Sequence, residues 1–578
     1  FLVQLVFDIE TDDLKATLIH CIVAKDVDTQ EVFSFSPDNL QAGYEFLATA
    51  DTLIGHNIIG FDIPMVHKFS NVDLSKIPVI DTLVLSRLFN PAREGGHSLE
   101  KWGYKLGYHK IDFSDYLNYS QDMMDYCIRD VELNLEVFKE LRKESKGFDK
   151  GCIQLEQKVA EIIKQQEVNG FKFDTQHALL LLAELREKKQ AIEDEVHNTF
   201  KPKWVDDKLV TPYIKKDGEL SKRGLTDDEY DRCITTNNTD PFMRQSLQEF
   251  NLGSRKQIGE YLIDFGWKPE RFTPTGQPIV DEKTLSAITH IHEANLIAQF
   301  LLLQKRIAQI DSWIDATEED GRVHGFVIPN GAITGRMTHR NPNMAQVPSS
   351  HNPYGKECRA CWTVEDGNVL LGVDASGLEI RMLAHYMNDE EYTNEIINGD
   401  IHTSNQELAK LESRDKAKTF IYALMYGAGD EKLGKVVGGS TADGKRARQY
   451  FFDNKPTFKS LRDRVQRASA KNYLKGLDGR KLYVRNQHSA LNTLLQGAGA
   501  IVMKKGLVLL DDMLKLNNID YKFVANIHDE WQIEVKESQA DFAGRLAVES
   551  IIKAGEHFNL RCPLDGEYKT GVNWSETH

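Results

Sequence analysis

The hydrophobic pattern of the chain changes its period twice, and this change limits the possible folds more than any other feature of the sequence. Residues 1–147 mix short apolar runs with a helical stretch at Tyr126–Lys143, which is typical of an α/β domain. From about Lys150 to Ser312 nearly every periodic stretch is helical, and strand-like and helical patterns then alternate again. Because 578 residues also exceed what one hydrophobic core serves, the sequence predicts several domains.

One segment inside the helical region interrupts its pattern. Lys201–Pro241 is polar, charged and weakly periodic. Such a composition predicts a lobe that is inserted between helices and exposed to solvent.

Composition indicates an intracellular globular protein. Hydrophobic residues make up 41% and charged residues 27% of the chain, which leaves ample side chains for sizeable cores. The seven cysteines form an odd and scattered set, which favours a reducing, cytoplasmic location over a disulfide framework. Cys358 and Cys361 have metal-ligand spacing, but no second pair completes a zinc site.

The sequence predicts no membrane partner. No uninterrupted apolar run approaches the roughly 20 residues that span a bilayer. Residue 1 is Phe rather than Met, so a removed targeting segment remains an open alternative.

Charge is distributed unevenly along the chain. The net charge of −16 argues against a protein that wraps nucleic acid over its whole surface. Lys432–Arg485 nevertheless contains 15 Lys or Arg against 4 Asp, which is typical of a surface that binds a polyanion. A solvated helical face explains such a stretch equally well when it is taken alone.

A first group of candidate catalytic residues lies in the N-terminal α/β segment. Asp8 and Glu10 alternate at the end of an apolar strand, so both side chains point to the same side of it. Asp62 follows downstream, and Tyr126 and Asp130 share one face of a predicted helix because they are four residues apart. Enzymes that transfer phosphoryl groups commonly use two divalent ions held by carboxylates. These residues therefore predict a two-metal site.

A second group of carboxylates lies in the C-terminal half. The apolar strand Val369–Asp374 delivers Asp374 into a turn and a helix, and Asp529 occupies a tight turn between two predicted strands. Strand ends hold side chains rigidly, as a metal site requires. The pattern predicts a second metal site.

A predicted helix at Arg414–Tyr426 lies between these two aspartates. Steps of four residues on a helix drift by only about 40°, so Arg414, Lys418, Tyr422 and Tyr426 occupy one sector. Two cations and two aromatic rings on one face suit a triphosphate and a nucleoside. An amphipathic helix with half-buried tyrosines is the simpler interpretation of this helix alone.

Taken together, these residues resemble two sets of known motifs. The first group resembles the three motifs of DEDDy 3′→5′ proofreading exonucleases, and the second resembles motifs A, B and C of family A DNA polymerases, most closely the phage T-seven type. The resemblance runs from Phe7 to the last residue. Four further strings fit the same pattern: Gly331–Arg336, Asn398–Thr403, Gly476–Lys481 and Leu491–Gln496.

The resemblance implies a multidomain α/β and α+β fold, with a ribonuclease-H-like exonuclease domain followed by a right-hand polymerase. The implied boundaries are 1–148 for the exonuclease domain, 149–312 for a helical thumb with an inserted lobe at 201–241, 313–398 for the first part of the palm, 399–480 for the fingers and 481–578 for the second part of the palm.

The implied function is template-directed DNA synthesis in DNA replication, in which a primer 3′-OH is extended with dNTPs by two-metal phosphoryl transfer and proofread by 3′→5′ excision. The implied partners are primer–template DNA and dNTPs. The implied cofactor is Mg²⁺, two ions per active site, and Mn²⁺ can substitute. The implied location is the cytoplasm, which is the host cytoplasm for a viral protein.

The inserted lobe occupies the position where the phage type carries its thioredoxin-binding loop. The lobe is shorter than that loop and dissimilar to it. A processivity factor that binds at 201–241 is therefore an open expectation.

The resemblance also implies roles for single residues of the exonuclease domain. Asp8, Glu10, Asp62 and Asp130 would hold the metal ions, and Tyr126 would be a catalytic residue that orients the attacking water.

In the polymerase, Asp374 and Asp529 would be the catalytic metal ligands. Phosphates would be bound by Arg414, Lys418 and His402. The other nucleotide-binding residues would be Tyr422 at the sugar, Tyr426 near the templating position and Glu379 against the 2′ position. Residues in contact with primer–template DNA, in the minor groove, would be Arg336, Asn492, Gln496 and His528.

Two alternatives from other classes remain. A single-subunit RNA polymerase shares the palm aspartates, but Glu379 and the exonuclease residues count against it. A non-catalytic DNA-binding accessory subunit would lose carboxylates, and all six are present.

Overall fold

The computed structural model describes residues 2–578, and Phe1, the first residue of the predicted exonuclease domain, lies outside them. The chain divides into two compact units. One comprises Phe1–Asp174 together with Ala316–His578, and the other comprises Thr175–Asp315. The helical middle of the sequence thus forms a unit of its own.

The N-terminal part of the first unit is built on a five-stranded mixed sheet. In spatial order its strands are Val32–Phe35, Ile19–Asp26, Gln4–Thr11, Thr52–Gly55 and Val79–Asp81. The first three strands run antiparallel, and the last two run parallel to the central strand. The helices beside this sheet are Leu40–Leu47, Asp62–Phe69, Thr82–Phe89, Leu99–Leu106 and Gln121–Glu144.

Both faces of the central strand are buried. Leu5 and Phe7 lie in one hydrophobic cluster, whereas Val6 lies in another that includes Cys127 and Val131 of the helix Gln121–Glu144. Because side chains alternate along a strand, the residues that follow Val6 on the same side face this helix.

The helix Lys150–Asn169 belongs to the first unit, although the sequence pattern groups it with the helices that follow. Its Glu156 is fully buried and lies 2.6 Å from Arg480 Nη1 and 2.7 Å from Lys504 Nζ. A buried carboxylate needs such partners, and here the C-terminal part of the chain supplies them. The compact helical unit accordingly begins at Thr175, and the implied thumb at 149–312 stays a prediction.

The C-terminal part of the first unit is built on a four-stranded antiparallel sheet, here called the C-terminal sheet. In spatial order its strands are Tyr521–Ile527, Glu530–Lys536, Asn368–Ala375 and Gly566–Gly571. The register pairs Asp374 with Glu530, so the end of one strand adjoins the turn that holds Asp529.

Smaller strand groups and many helices complete this unit. The short strands are Phe171–Phe173 with Trp362–Thr363 and Arg322–Val323, Phe326–Ile328 with Thr338–Arg340, and Tyr473–Lys475 with Lys481–Tyr483. The helices are Gly355–Ala360, Leu378–Met387, Glu390–Asn398, Ile401–Ala409, Arg414–Met425, Asp430–Val437, Thr441–Asn454, Pro456–Ala468, Ala490–Leu516, Ala540–His557 and Trp574–Thr577.

The helix Ala490–Leu516 modifies the expectation about membrane spans. The stretch Gln487–Leu516 is long and apolar enough to cross a bilayer when length and composition alone are considered. However, 72% of its most apolar window is buried inside the protein. The helix therefore packs as a core element of the first unit.

The second unit is mostly helical. Its core includes Phe200, Phe250, Trp267 and Ile297. Its helices are Thr175–Thr199, Asp227–Thr236, Arg255–Asp264, Glu282–Ala287 and His292–Ala316.

The predicted inserted lobe is present but ends later than the sequence indicates. Strand Lys203–Val210 pairs antiparallel with Phe242–Gln248, and helix Asp227–Thr236 lies between them in the chain. The second strand of the hairpin begins just after Pro241. The boundary at 241 thus omits half of the hairpin, because Phe242–Gln248 mixes polar with apolar residues and lacks a distinct strand signal.

Candidate active sites

Asp8 and Glu10 lie on the side of their strand that faces the helix Gln121–Glu144. One carboxylate oxygen of each lies within 4.8 Å of the other and of Cys127 Sγ. The Cys127 thiol donates to the carbonyl oxygen of Asp8 over 3.6 Å, and burial raises its pKa well above the usual range. The Cys127 thiol therefore stays protonated and contributes a hydrogen bond to the backbone. The carboxylate oxygens of Asp8 and Glu10 remain as ligands for a hard cation.

The fold brings Asp62 and Asp130 to the same place. Asp62 begins the helix Asp62–Phe69, accepts a hydrogen bond from the backbone N–H of Ile9 over 3.1 Å and is hydrogen-bonded to the Asp8 side chain. Asp130 is 4% exposed, and its Oδ1 has no hydrogen-bond partner within residues 2–578. Four predicted carboxylates thus meet in one buried site.

Crowding makes these carboxylates difficult to ionise. Burial, and then the charge of Asp62, raises the pKa of Asp8 well above its usual value. Burial raises the pKa of Glu10 to about 9 and that of Asp62 to about 7, and it raises the pKa of Asp130 as well. A divalent cation reverses this effect because it stabilises the anionic forms. The all-oxygen donor set and the unpartnered Asp130 oxygen therefore fit Mg²⁺.

Tyr126 lies one helical turn before Asp130, and burial raises its pKa, so its phenol keeps its proton. Lys110 also reaches this site. Its Nζ donates to Tyr126 Oη over 2.8 Å and lies 2.6 Å from Asp130 Oδ2.

The second predicted group meets at one end of the C-terminal sheet. The backbone N–H of Ala375 donates to the carbonyl oxygen of Asp529 over 3.1 Å, so Asp374 and Asp529 are fixed on neighbouring segments. Burial, and then the charge of Asp374, raises the pKa of Asp529 to about 6. A buried carboxylate beside a second carboxylate again fits a hard cation.

His578 contacts this second site from the far end of the chain. Its Nε2 lies 2.7 Å from Asp374 Oδ2, and Arg359 Nη1 donates to its Nδ1 over 2.9 Å. The hydrogen bond to Asp374 raises the pKa of His578. Asp374, one of the candidate metal ligands, is thus paired with the imidazole of His578 in this structure.

The helix Arg414–Met425 presents the predicted face to solvent. Phe420, Ile421, Leu424 and Met425 are buried on its other side. Arg414, Lys418 and Tyr426 are exposed, and Tyr422 is half-buried.

Glu379 connects this helix to the string Gly331–Arg336. Tyr426 Oη donates to Glu379 Oε2 over 2.5 Å, and Arg336 Nη2 donates to Glu379 Oε1 over 2.9 Å. The Tyr422 ring lies 6.4 Å from the Tyr426 ring, between centroids, and 6.3 Å from that of His402. The structure therefore brings most of the predicted nucleotide-binding residues together.

Arg414 is held by an acid of a neighbouring helix. Its Nε donates to Asp400 Oδ2 over 2.6 Å. Asp400 also caps the helix Ile401–Ala409 and accepts the backbone N–H of His402 over 3.1 Å. An exposed pair of this kind is weak, so it opens readily for a polyanionic ligand.

The predicted DNA-contact residues fall on two elements. Arg336 and His528 line one small cleft, and burial followed by the charge of Arg336 lowers the pKa of His528. Asn492 and Gln496 lie one turn apart on the helix Ala490–Leu516, and both are half-buried. Asn492 Oδ1 is buried and has no hydrogen-bond partner among the described residues.

The basic stretch Lys432–Arg485 is only partly a surface feature. Arg480 is buried between Glu156 and Asp478, and Lys455 lies 3.2 Å from Asp389 Oδ2. These cations stabilise the interior, so the basic surface is smaller than the sequence count indicates.

Four residues at these sites escaped the sequence analysis. Lys110 and His578 belong to no chemical pattern in the sequence, and Asp400 lies in the string Asn398–Thr403 but received no role of its own there. Asp81 accepts the backbone N–H groups of Asn57 and Ile59 over 2.9 and 3.1 Å, and so holds the turn before Asp62. Its position at the start of the helix Thr82–Phe89 is the one signal that could have identified it, as a helix cap.

Comparison with known proteins identifies the chain's relatives. The family model described as DNA polymerase family A matches residues 227–576. The DNA-directed DNA polymerases of Enterobacteria phage T3 and Escherichia phage T7 are each 33% identical to the chain over 705 residues, and the match covers 100% of this chain and 100% of each relative.

A solved structure shows the same fold. It is the POL domain of Pol1 from M. smegmatis in complex with DNA primer-template and dNTP. The match has a TM-score of 0.79 and 18% identity, and it covers 100% of this chain and 96% of that one.

Proposed function

The chain belongs to DNA polymerase family A and is a DNA-directed DNA polymerase; on this premise we propose that it also proofreads by 3′→5′ excision in a separate site. Synthesis would take place at Asp374 and Asp529, and excision at the site of Asp8. The convergence of four carboxylates beside Tyr126, three of them buried and all far in the sequence from Asp374, carries this proposal.

In synthesis, Asp374 and Asp529 would hold Mg²⁺, which when bound lowers the pKa of the primer 3′-OH and neutralises charge on the triphosphate. Lys418 and His402 would bind phosphates of the incoming dNTP. Arg414 would join them by exchanging Asp400 for a phosphate, since a guanidinium binds either anion in two-point geometry.

Selection of the sugar would depend on Glu379. Arg336 and Tyr426 fix both of its carboxylate oxygens. A carboxylate held in this way excludes a 2′-OH by its volume and charge. Tyr422 would contact the sugar from the same side, and Tyr426 would lie near the templating base.

Contacts with DNA would come from Arg336, His528, Asn492 and Gln496. In the minor groove the acceptor positions are similar for every correct pair, so such donors check shape without reading sequence. Asn492 Oδ1 is buried without a hydrogen-bond partner among the described residues, and a ligand would supply one after a small movement of this half-buried side chain.

In excision, Asp8, Glu10, Asp62 and Asp130 would hold Mg²⁺, and Mn²⁺ would substitute, as both are hard cations that bind oxygen. The Tyr126 phenol stays protonated, so it can donate a hydrogen bond to the attacking water or to the scissile phosphate and orient it.

The test is a labelled primer–template with a mismatched 3′ end and Mg²⁺, incubated with and without dNTPs. We expect shortening without dNTPs and extension with them. In Asp8→Ala/Glu10→Ala, shortening should disappear while extension from a matched end remains. A wild-type protein that extends but never shortens the primer would refute proofreading and leave the polymerase assignment intact.

We also propose that the inserted lobe binds a processivity factor. The hairpin pairs Trp204 with Leu247 and Leu209 with Met243, and these side chains are 48–67% exposed. A face of this kind, with large apolar side chains in contact with water, marks a surface for a protein partner.

The opposite face of the hairpin is already occupied. Arg244 lies within salt-bridge distance of Glu229, and the Arg232 guanidinium lies 4.4 Å from the centre of the Phe242 ring. The test measures product length per binding event with and without thioredoxin. The proposal is supported if thioredoxin lengthens the products of the wild type but not those of Trp204→Ser/Leu247→Ser. Equal product lengths with and without thioredoxin would exclude that factor.

A further inference from the structure

Lys110 enters the proposed exonuclease site from an irregular segment between the helices Leu99–Leu106 and Gln121–Glu144. Its Nζ makes two close contacts there, with Tyr126 Oη at 2.8 Å and Asp130 Oδ2 at 2.6 Å. The ammonium also lies 4.8 Å from the centre of the Tyr126 ring. Both partners are candidate catalytic residues of the proposed exonuclease site.

The backbone before Lys110 is attached to the helix that carries Tyr126. Arg129 Nε donates to the carbonyl oxygen of His109 over 2.7 Å, and Tyr108 Oη donates to Glu132 Oε2 over 2.9 Å. The direction of the lysine is therefore set by the fold and does not depend on a mobile loop.

The segment after Lys110 packs on the same tyrosine. The Phe113 ring stacks on the Tyr126 ring with centroids 5.3 Å apart, and Tyr116 meets both rings edge-on. Tyr126 is thus restrained by rings on one side and by the lysine at its oxygen.

The environment of Lys110 differs from that of a surface ion pair. The side chain of Lys110 is 23% exposed and that of Asp130 is 5% exposed. Lys139 and Glu136, farther along the same helix, pair at 2.7 Å with both side chains 45% exposed. Loss of the exposed pair Lys139–Glu136 changes the free energy of folding little, whereas the shielded pair Lys110–Asp130 holds its two side chains in a fixed geometry.

We propose that Lys110 is a positioning residue of the exonuclease reaction. Its Nζ–H bond makes Tyr126 Oη the acceptor, so the phenolic hydrogen points away from the lysine, toward the side from which water or phosphate would accept it. The contact with Asp130 Oδ2 anchors the ammonium and leaves the unpartnered Oδ1 for a cation. The inference rests on the proposed excision function.

The test measures single-turnover excision of a mismatched primer end at saturating DNA and Mg²⁺. Loss of a group that orients a catalytic residue typically costs about 10- to 100-fold in activity, and we expect Lys110→Met to slow excision by that factor. Lys110→Arg, which keeps a donor and the charge, should stay within about threefold of the wild type, and so should the control Lys139→Met.

A double-mutant cycle separates positioning from a general structural effect. In a Tyr126→Phe background the oxygen that Lys110 positions is absent, so Lys110→Met should slow excision by less than about threefold. An equal loss in both backgrounds would overturn the inference, as would wild-type excision by Lys110→Met. Melting temperatures, with Lys110→Arg as the conservative variant, show whether a slow variant is folded.

The two proposals fail in different ways. If the wild-type protein does not excise at all, the excision function is wrong. If the wild type excises and Lys110→Met equals it, the function stands and only the role of Lys110 is wrong.

Discussion

The two carboxylate sites of this polymerase both suit divalent cations, but one of them is buried and the other is open to solvent. In the proposed excision site, Glu10, Asp62 and Asp130 are 3–7% exposed, and burial raises the pKa of each. In the proposed synthesis site the Asp374 side chain is 35% exposed and pairs with His578, and burial raises the pKa of Asp529 to about 6. A buried site therefore depends on its cations for charge balance, whereas an open site leaves room for a large substrate.

The largest expected effect tests whether the two sites are independent. Asp374→Ala or Asp529→Ala should reduce primer extension by at least about a thousandfold, because several kcal/mol of charge stabilisation are lost. Excision of a mismatched end should persist. Extension and excision are measured on the same labelled primer. The control is Asp366→Ala, just before the strand Asn368–Ala375 and at the opposite end of it from Asp374. Parallel loss of both activities would contradict the separation.

A smaller effect concerns substrate choice, which only the open site has to make. Glu379→Ala should raise the kcat/KM ratio of rNTP to dNTP by about 10- to 100-fold, since losing an exclusion worth roughly 1–3 kcal/mol changes a ratio by that order. The excision rate should not change. An unaltered ratio would remove Glu379 from the sugar gate.

An effect of about tenfold is expected at Tyr422. A dideoxynucleotide leaves a polar gap where its 3′-OH is missing, and a tyrosine hydroxyl can fill that gap. Leaving a desolvated polar group unpaired costs roughly 1–3 kcal/mol, so Tyr422→Phe should lower ddNTP use relative to dNTP use by about tenfold. The kcat/KM ratio is measured with Asp8→Ala/Glu10→Ala present in both proteins. Equal ratios would show that Tyr422 does not face the sugar.

The smallest effect is a pH dependence of stability in the buried site. The folded-state pKa of Glu10 is raised from 4.5 to about 9, so the folded protein binds more protons than the unfolded chain across this interval. Stability in EDTA should therefore fall as pH rises from about 4.5 to about 9, and Glu10→Gln should reduce this fall by a few degrees in melting temperature. Mg²⁺ should remove most of the difference. A steeper fall in Glu10→Gln would contradict the raised pKa.

The sequence was informative where chemistry leaves a local pattern. The predicted mixed α/β content of the polymerase fold is confirmed, and the family assignment is confirmed as well. The implied domain boundaries stay predictions, and the compact units of the structure are divided at other positions. The hairpin of the lobe extends past Pro241, and Lys150–Asn169 packs with the first unit through Glu156. Both differences come from partners that are distant in the sequence.

The sequence by itself determined which residues are candidates for chemistry. Carboxylates at the ends of rigid strands suit Mg²⁺, and residues that form one helical face recur every fourth position. Asp8, Glu10 and Asp374, and likewise Arg414 and Lys418, therefore leave a local pattern. Only the tertiary structure decided their surroundings. Lys110 beside Tyr126, His578 on Asp374 and the burial of Glu10, Asp62 and Asp130 result from contacts between different segments of the chain. Such contacts depend on packing, which no local period encodes.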